Sequence, residues 1–314
     1  DLFALPLSAP TLTEARVDES GGLLVSGGGF LPGADILING ERVRDTQPSA
    51  GAESMRLTSP EFWKVPAAPG AAVEVTVINP DGVRTSAVSL TRPGQARAVA
   101  AVSAASYNAE ALAPEAIAAA FGVGLATTTE IARTQPLPNE LAGTRVRVNG
   151  LLAPLFFVSP GQVNFLVPAA VQSGRGVIEI LAGDQILSRG EISIGSSVAS
   201  LFTANATGSG APAALTTRDG LSYAAVGNPD GTSNQVSPGD YLILFGTGFR
   251  KASPGQVSIR IGGQEAPVLY AGPQGGYAGL DQINTRIPEG VTGAVNVDVT
   301  IGMKTANRVT LQIR

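Results

Sequence analysis

The chain has 314 residues, a formal net charge of −4, 15% charged residues, and neither histidine nor cysteine. Those two absences together remove Ser-His-Asp and Cys-His nucleophiles, histidine-bearing zinc sites, the 2-His-1-carboxylate iron site, thiolate chemistry and iron–sulfur ligation. Nucleic acid and an anionic membrane surface are not expected as partners: neutralising phosphates takes clustered Lys/Arg, and the chain holds three lysines and no basic block.

The sequence holds no run of about 18 apolar residues, so no membrane insertion by a spanning helix is expected. The length suits three sandwich domains of roughly 100 residues each. Its 39 Gly and 22 Pro fall at intervals between Val/Ile/Leu/Thr-rich runs, which is the punctuation of short strands.

At the N-terminus, Phe3, Leu5 and Leu7 alternate at strand period within 1–10, ahead of an opening strand at 12–17. Leu2, Phe3, Leu5 and Leu7 are therefore a candidate subunit-interface strand. It either folds back on its own domain or adds to the sheet edge of a neighbouring copy. Head-to-tail addition does not close and builds a filament. Asp1 in place of an initiating Met fits a mature form after signal-peptide removal, so the expected location is secreted or extracellular, at the cell surface.

Three segments then repeat one pattern. A strand ends in Val25-Ser26-Gly27-Gly28-Gly29-Phe30, in Ala120-Phe121-Gly122-Val123-Gly124-Leu125, and in Leu244-Phe245-Gly246-Thr247-Gly248-Phe249. A strand and a two-residue turn follow each time, at Asn39-Gly40, Asn149-Gly150 and Gly262-Gly263, where a type I′ turn needs positive φ at both positions. The second and third copies share Gln162, Asn164, Pro168 with Gln282, Asn284, Pro288. All three copies carry a β-branched residue before proline, at Val65-Pro66, Val167-Pro168 and Ile287-Pro288, which ends a strand. Closing strands are expected at 72–79 with 85–91, 176–181 with 190–194, and 294–301 with 307–313.

Residues 109–121 are Ala-rich and read as helix by propensity. On the repeat, 112–121 falls on 236–245, with Pro114 against Pro238, and a strand is expected there. In the third copy, 213–217 and 221–224 flank Arg218-Asp219-Gly220 and read as an added hairpin covering an edge.

The fold class is all-β: three tandem immunoglobulin-like β-sandwich domains at 11–93, 97–195 and 196–314 behind the 1–10 strand. The joints Arg92-Pro93-Gly94-Gln95 and Gly195-Ser196-Ser197 are short, and we expect an elongated, stiff rod. By its Gly-x-Gly-Phe turn, its Ile38-Asn39-Gly40 hairpin and Asn79-Pro80-Asp81-Gly82, the first domain resembles the IPT/TIG family of immunoglobulin-like domains. Residues 98–314 resemble a C-terminal module of large secreted acidobacterial proteins, through Ala104-Ala105-Ser106-Tyr107, Leu155-Phe156-Phe157-Val158-Ser159-Pro160-Gly161-Gln162-Val163-Asn164-Phe165 and Ala266-Pro267-Val268-Leu269-Tyr270-Ala271-Gly272. The resemblance implies export and architecture and supplies no catalytic residue. Pro114-Glu115 departs from it, since Pro-Gly is usual there.

Asp219, Asp230, Asp240 and Asp281 are the carboxylates available to a glycosidase; their expected role is in turns, since all but Asp281 lie beside Gly. No cofactor is expected. Ca²⁺ is the metal that loop aspartates leave open, although no Asp-x-Asp-x-Asp run exists. The Gln162/Asn164 and Gln282/Asn284 amides are expected to bond backbone at a sheet margin. The repeated glycines serve turns rather than a phosphate cradle, because a strand and hairpin follow them. Aromatics are sparse, and Trp63, Tyr270 and Tyr277 are the candidate ligand aromatics.

The leading expectation is a non-enzymatic exported structural or adhesive protein of the cell surface that self-associates into a filament through Leu2–Leu7. The alternative is a module binding polysaccharide or another surface polymer, alone or as the accessory part of a larger secreted enzyme. Electron microscopy of the full chain against residues 10–314 tests strand donation: filaments should vanish on truncation, and filaments that persist rule it out.

Overall fold

The computed structural model describes residues 9–17, 23–43, 47–49, 55–59, 71–91, 96–183 and 185–314. Among them are β-strands and one short 3₁₀ turn, Pro254–Gln256, and no α-helix. The architecture is three immunoglobulin-like β-sandwiches, each with its own hydrophobic core. The chain divides into two compact units, Asp1–Gln95 and Ala96–Arg314.

In the first unit, Thr11–Val17, Leu23–Gly28, Met55–Ser59 and Gln47–Ser49 form one sheet in that order. Glu41–Arg42, Asp35–Ile38, Ala72–Ile78 and Val88–Thr91 form the other. Val25 of Leu23–Gly28, Ile36 and Ile38 of Asp35–Ile38, and Val73, Val75 and Val77 of Ala72–Ile78 meet in the core, as a period of two requires. Asn79 pins the Gly-rich turn: its Oδ1 accepts the Leu31 N–H at 3.0 Å and its Nδ2 donates to the Gly29 carbonyl at 2.9 Å. The Gly-x-Gly-Phe and Asn-Pro-Asp-Gly motifs are thus two halves of one contact.

The second unit holds the other two sandwiches. In the second sandwich nine strands follow one path: Glu130–Ile131, Leu155–Val158, Gln162–Leu166, Ile117–Gly122, Arg97–Ser103, Gln185–Ile194, Gly174–Ala182, Thr144–Val148 and Leu151–Leu152. Arg97–Ser103 joins the layers, pairing antiparallel with Ile117–Gly122 and, through Arg97 and Ala98, parallel with Ser188 and Arg189. Gly190 permits the approach, since a Cβ there would overlap the Val99 carbonyl oxygen. In the third sandwich, Ala224–Ala225, Ala214–Thr217, Tyr241–Thr247, Asp281–Arg286 and Val268–Pro273 face Gln235–Val236, Val309–Ile313, Gly293–Ile301, Val257–Ile261 and Gln264–Ala266.

All three expected turns carry positive φ at both residues: 50° and 84° at Asn39 and Gly40, 51° and 79° at Asn149 and Gly150, 59° and 81° at Gly262 and Gly263. The strand expected over 112–121 forms, and the helix does not, but it starts only at Ile117. Leu112 makes an isolated bridge to Ile194 in the opposite layer. The chain must then cross over, which it does through Pro114, with no N–H to give a ladder, and Glu115 at φ 62°.

The hairpin expected at 213–224 also forms, with Leu215 opposite Ala225 and Thr216 opposite Ala224. Its first strand is nevertheless not an addition. In the second sandwich Val99 lies opposite Gly122 and Ala101 opposite Ala120; in the third, Leu201 lies opposite Gly246 and Ala214 opposite Leu244. Ser200–Leu201 and Ala214–Thr217 are therefore one repeat strand interrupted by residues 202–212, and only Ala224–Ala225 extends the sheet edge.

Candidate functional site

A buried polar construction lies where the second sandwich meets the third. Glu115 occupies the left-handed region at a position where the third sandwich has Gly239, φ 80°. For a residue with a Cβ that conformation costs about 1 kcal/mol. Its carboxylate is used across the joint: Oε1 accepts from Arg250 Nη1 at 3.2 Å and Oε2 lies 3.7 Å from Lys251 Nζ.

Arg250 is held from its own side as well. Its Nε donates to Asp281 Oδ1 at 3.1 Å, and Asp281 Oδ2 accepts the Phe249 N–H at 2.8 Å. Asp281 is fully buried on the strand Asp281–Arg286, and the Arg250 side chain is 15% exposed. Burial pushes the Asp281 carboxyl above the ordinary carboxylate range, against the opposing pull of the Phe249 N–H and Arg250. Losing one member of a buried pair strands the other charge, at a cost of about 3–5 kcal/mol.

Two further contacts flank this cluster. Thr247 Oγ1 accepts the Ile117 N–H from the second sandwich at 2.8 Å and donates to the Gly279 carbonyl at 2.7 Å. Gly279, φ 72°, lies against Ile117 and Leu166, where a Cβ would stand 2.6 and 2.7 Å from their side chains. On the other side Ser106 Oγ lies 3.0 Å from Ser200 Oγ, and a Cβ on Gly208 would meet the Ser106 carbonyl oxygen at 2.6 Å. Charge, hydrogen bond and close backbone approach thus close one joint in three places. Thr247, Phe249 and Arg250 come from the Gly-x-Gly-large turn, which serves this contact as well as reversing the chain.

The other candidate carboxylates are turn residues. Asp219 accepts the Leu221 and Ser222 N–H groups and the Thr217 hydroxyl; Asp230 accepts the N–H and hydroxyl of Thr232. These bonds hold both carboxyls below their usual range. Asp240 is taken by Arg218 at 2.8 Å and by the Ser237 N–H. Asp281 is the exception to the turn expectation, being buried on a strand where only an ion pair makes a carboxylate tolerable. No two of these four share a partner. Glu115 and Asp281 do converge, but on the Arg250 guanidinium rather than around the open space that a two-carboxylate hydrolase needs. Among the described residues no three carboxylates gather as a metal site requires.

The repeated amides bond each other rather than backbone. Gln162 Nε2 donates to Asn164 Oδ1 at 2.8 Å, and Gln282 Nε2 to Asn284 Oδ1 at 2.7 Å. Each pair lies on a central strand, not at a sheet margin, because residues two apart share a face and lie within reach. Tyr270 is on the strand Val268–Pro273, its hydroxyl donating to the Pro273 carbonyl at 2.5 Å; Tyr277 is 68% exposed in the following loop. Trp63 and the strand residues Leu2, Phe3, Leu5 and Leu7 lie outside the described residues.

No family model matches the chain, and no curated protein matches it. Among solved structures, the chain is similar to the SGBP-B protein of the Bacteroides ovatus mixed-linkage glucan utilization locus, in complex with a mixed-linkage heptasaccharide. The two are 12% identical at a TM-score of 0.32; the alignment covers 98% of this chain and 61% of that one, so this chain spans less than two thirds of it. The Escherichia coli adhesin FdeC is 10% identical, with 98% and 96% covered and a TM-score of 0.22. A three-Ig fragment of titin is 10% identical, with 98% and 99% covered and a TM-score of 0.22. Similarities at this level assign neither ligand nor activity.

The buried carboxylate sets a pH dependence. Because the folded-state pKa of Asp281 is raised, its contribution to stability is full below the ordinary carboxylate range and is lost as pH rises through the raised value. Asp281→Asn keeps an acceptor for the Phe249 N–H and removes the titration. In urea unfolding the variant should gain on the wild type as pH rises from about 4 to 7. A stability difference that is flat, or that moves the other way, contradicts the assignment.

Proposed function

We propose that this chain is a non-enzymatic, exported structural or adhesive protein of the cell surface, in which the last two sandwiches act as one stiff piece. The observation that supports it is the joint itself. A flexible string of domains has no use for a left-handed glutamate reaching across to an arginine that is already paired with a buried aspartate. The absence of histidine and cysteine from the sequence, the dispersal of Asp219, Asp230 and Asp240 into separate turns and the pairing of Asp281 with Arg250 point the same way. The IPT/TIG-like reading of 11–93 and the secreted-module reading of 98–314 rest on their motifs, and the second adds export to the proposal.

Fractionation of the producing cells tests the location. Protease shaving of intact cells should release peptides from this chain, and its recovery in the cytosolic fraction alone would overturn the proposal.

A further inference from the structure

All five tyrosines of the chain, Tyr107, Tyr223, Tyr241, Tyr270 and Tyr277, lie in the second unit, and each is at least 39% exposed. Their placement is not scattered. Along Tyr241–Thr247, Leu242 and Leu244 enter the core while Tyr241, Ile243 and Phe245 take the outer side. On the neighbouring strand Ile283 and Thr285 are buried, and Gln282, Asn284 and Arg286 lie opposite Phe245, Ile243 and Tyr241. On the next strand Tyr270 lies opposite Asn284, and a bulge there leaves Leu269 exposed beside it.

Three adjacent strands therefore present an aromatic, an amide pair and an aromatic in succession. Tyr241 lies opposite Arg286 and Tyr270 opposite Asn284, so with strands about 4.8 Å apart and a rise of about 3.4 Å per residue the two tyrosines stand roughly 12 Å apart on a diagonal across the sheet, comparable with two pyranose rings of an extended chain. Tyr223 immediately precedes the edge strand Ala224–Ala225, with Ala214–Thr217 between that strand and Tyr241. The second sandwich repeats the face, with Gln162 and Asn164 between Phe121 and Phe157, and with the Tyr107 ring 6.4 Å from that of Phe121.

We propose that this outer sheet face is a binding surface for an uncharged polysaccharide. The polar groups are preset: each Gln donates to its Asn, and among the described residues Gln282 Oε1 and Asn284 Nδ2 have no further hydrogen-bond partner, one acceptor and one donor that can meet hydroxyls. The rings are preset too, because the Tyr270 hydroxyl is tied to Pro273 and that of Tyr223 to Gly220, so their apolar faces are offered at little entropic cost.

Charge selects the class of ligand. The three strands show one charged side chain on this side, Arg286, which sits 5.8 Å from the Tyr241 ring centroid and donates to the Gly239 carbonyl. A polyanion would need several cations and a polycation a carboxylate, and neither is present on the face. The inference goes beyond the structural proposal and does not depend on it, since a stiff surface protein needs no glycan ligand.

Affinity electrophoresis of the full chain through gels containing xyloglucan, mixed-linkage β-glucan, galactomannan or dextran, with alginate as the charged comparison, tests it. Retardation is expected in at least one neutral polymer. Tyr241→Ala with Tyr270→Ala should weaken it about tenfold or more, Tyr270→Phe should leave it near wild type, and all variants should keep the wild-type unfolding midpoint. Gln282→Ala with Asn284→Ala should weaken it as well, by removing the hydroxyl partners. Three results would each overturn the proposal: no retardation in any neutral polymer, retardation by alginate alone, or neutral-polymer retardation unaffected by the tyrosine pair. A monomer–dimer equilibrium abolished by the tyrosine pair, without glycan retardation, would overturn it in favour of contact between copies.

Discussion

The buried carboxylate of Asp281 constrains everything around it. A charge in a sandwich interior is tolerable only when paired and hydrogen-bonded. The turn that follows Gly246 supplies both requirements, the Phe249 N–H and the Arg250 guanidinium. Once that turn is fixed, the outer edge of the same guanidinium has one direction in which to point, and the second sandwich places Glu115 there. Thr247, on the same turn, then takes the first free N–H of the strand that Glu115 precedes. One interior charge thus becomes a junction between domains.

The repeat makes this specialisation visible, because equivalent positions are put to different uses. Where the third sandwich has Thr247, Arg250 and Asp281, the second has Val123, Ala126 and Gly161, with Val123 76% exposed. Where the second has Glu115, the third has Gly239. The two copies share strands, turns and the outward amide pair, while the charge cluster is built once, from parts contributed by both. The common framework carries the fold and the differences carry the junction.

Much of the fold was legible in the sequence for local reasons. Asn-Gly and Gly-Gly pairs report positive φ directly, and Val167-Pro168 and Ile287-Pro288 fall just after the strands Gln162–Leu166 and Asp281–Arg286. The Ala-rich run before Phe121 shows pattern overriding propensity: it would be helical alone, yet Ile117–Gly122 pairs on both sides, and each alternate side chain has a sheet neighbour. Less legible was whatever depends on distant partners. Glu115 and Arg250 are 135 residues apart, and nothing local to either announces the other. The one trace was Glu115 standing where a Pro-Gly turn was expected. The interruption at 202–212 was hidden because the hairpin after it looks self-contained. The amide pairs were visible, but their mutual bond depends on which face of the sheet they occupy.

The central claim is that the second and third sandwiches move as one body because of the charge cluster and its flanking contacts. The chain has no cysteine of its own, so labels at Leu151→Cys and Met303→Cys, one on each sandwich and both exposed, report the distance between the two without interference. Pulsed electron–electron spin resonance on that pair should give one narrow distance distribution. It should be insensitive to added salt, since buried pairs are weakly screened, and should broaden on Arg250→Ala. A broad distribution in the otherwise unaltered protein would contradict the account.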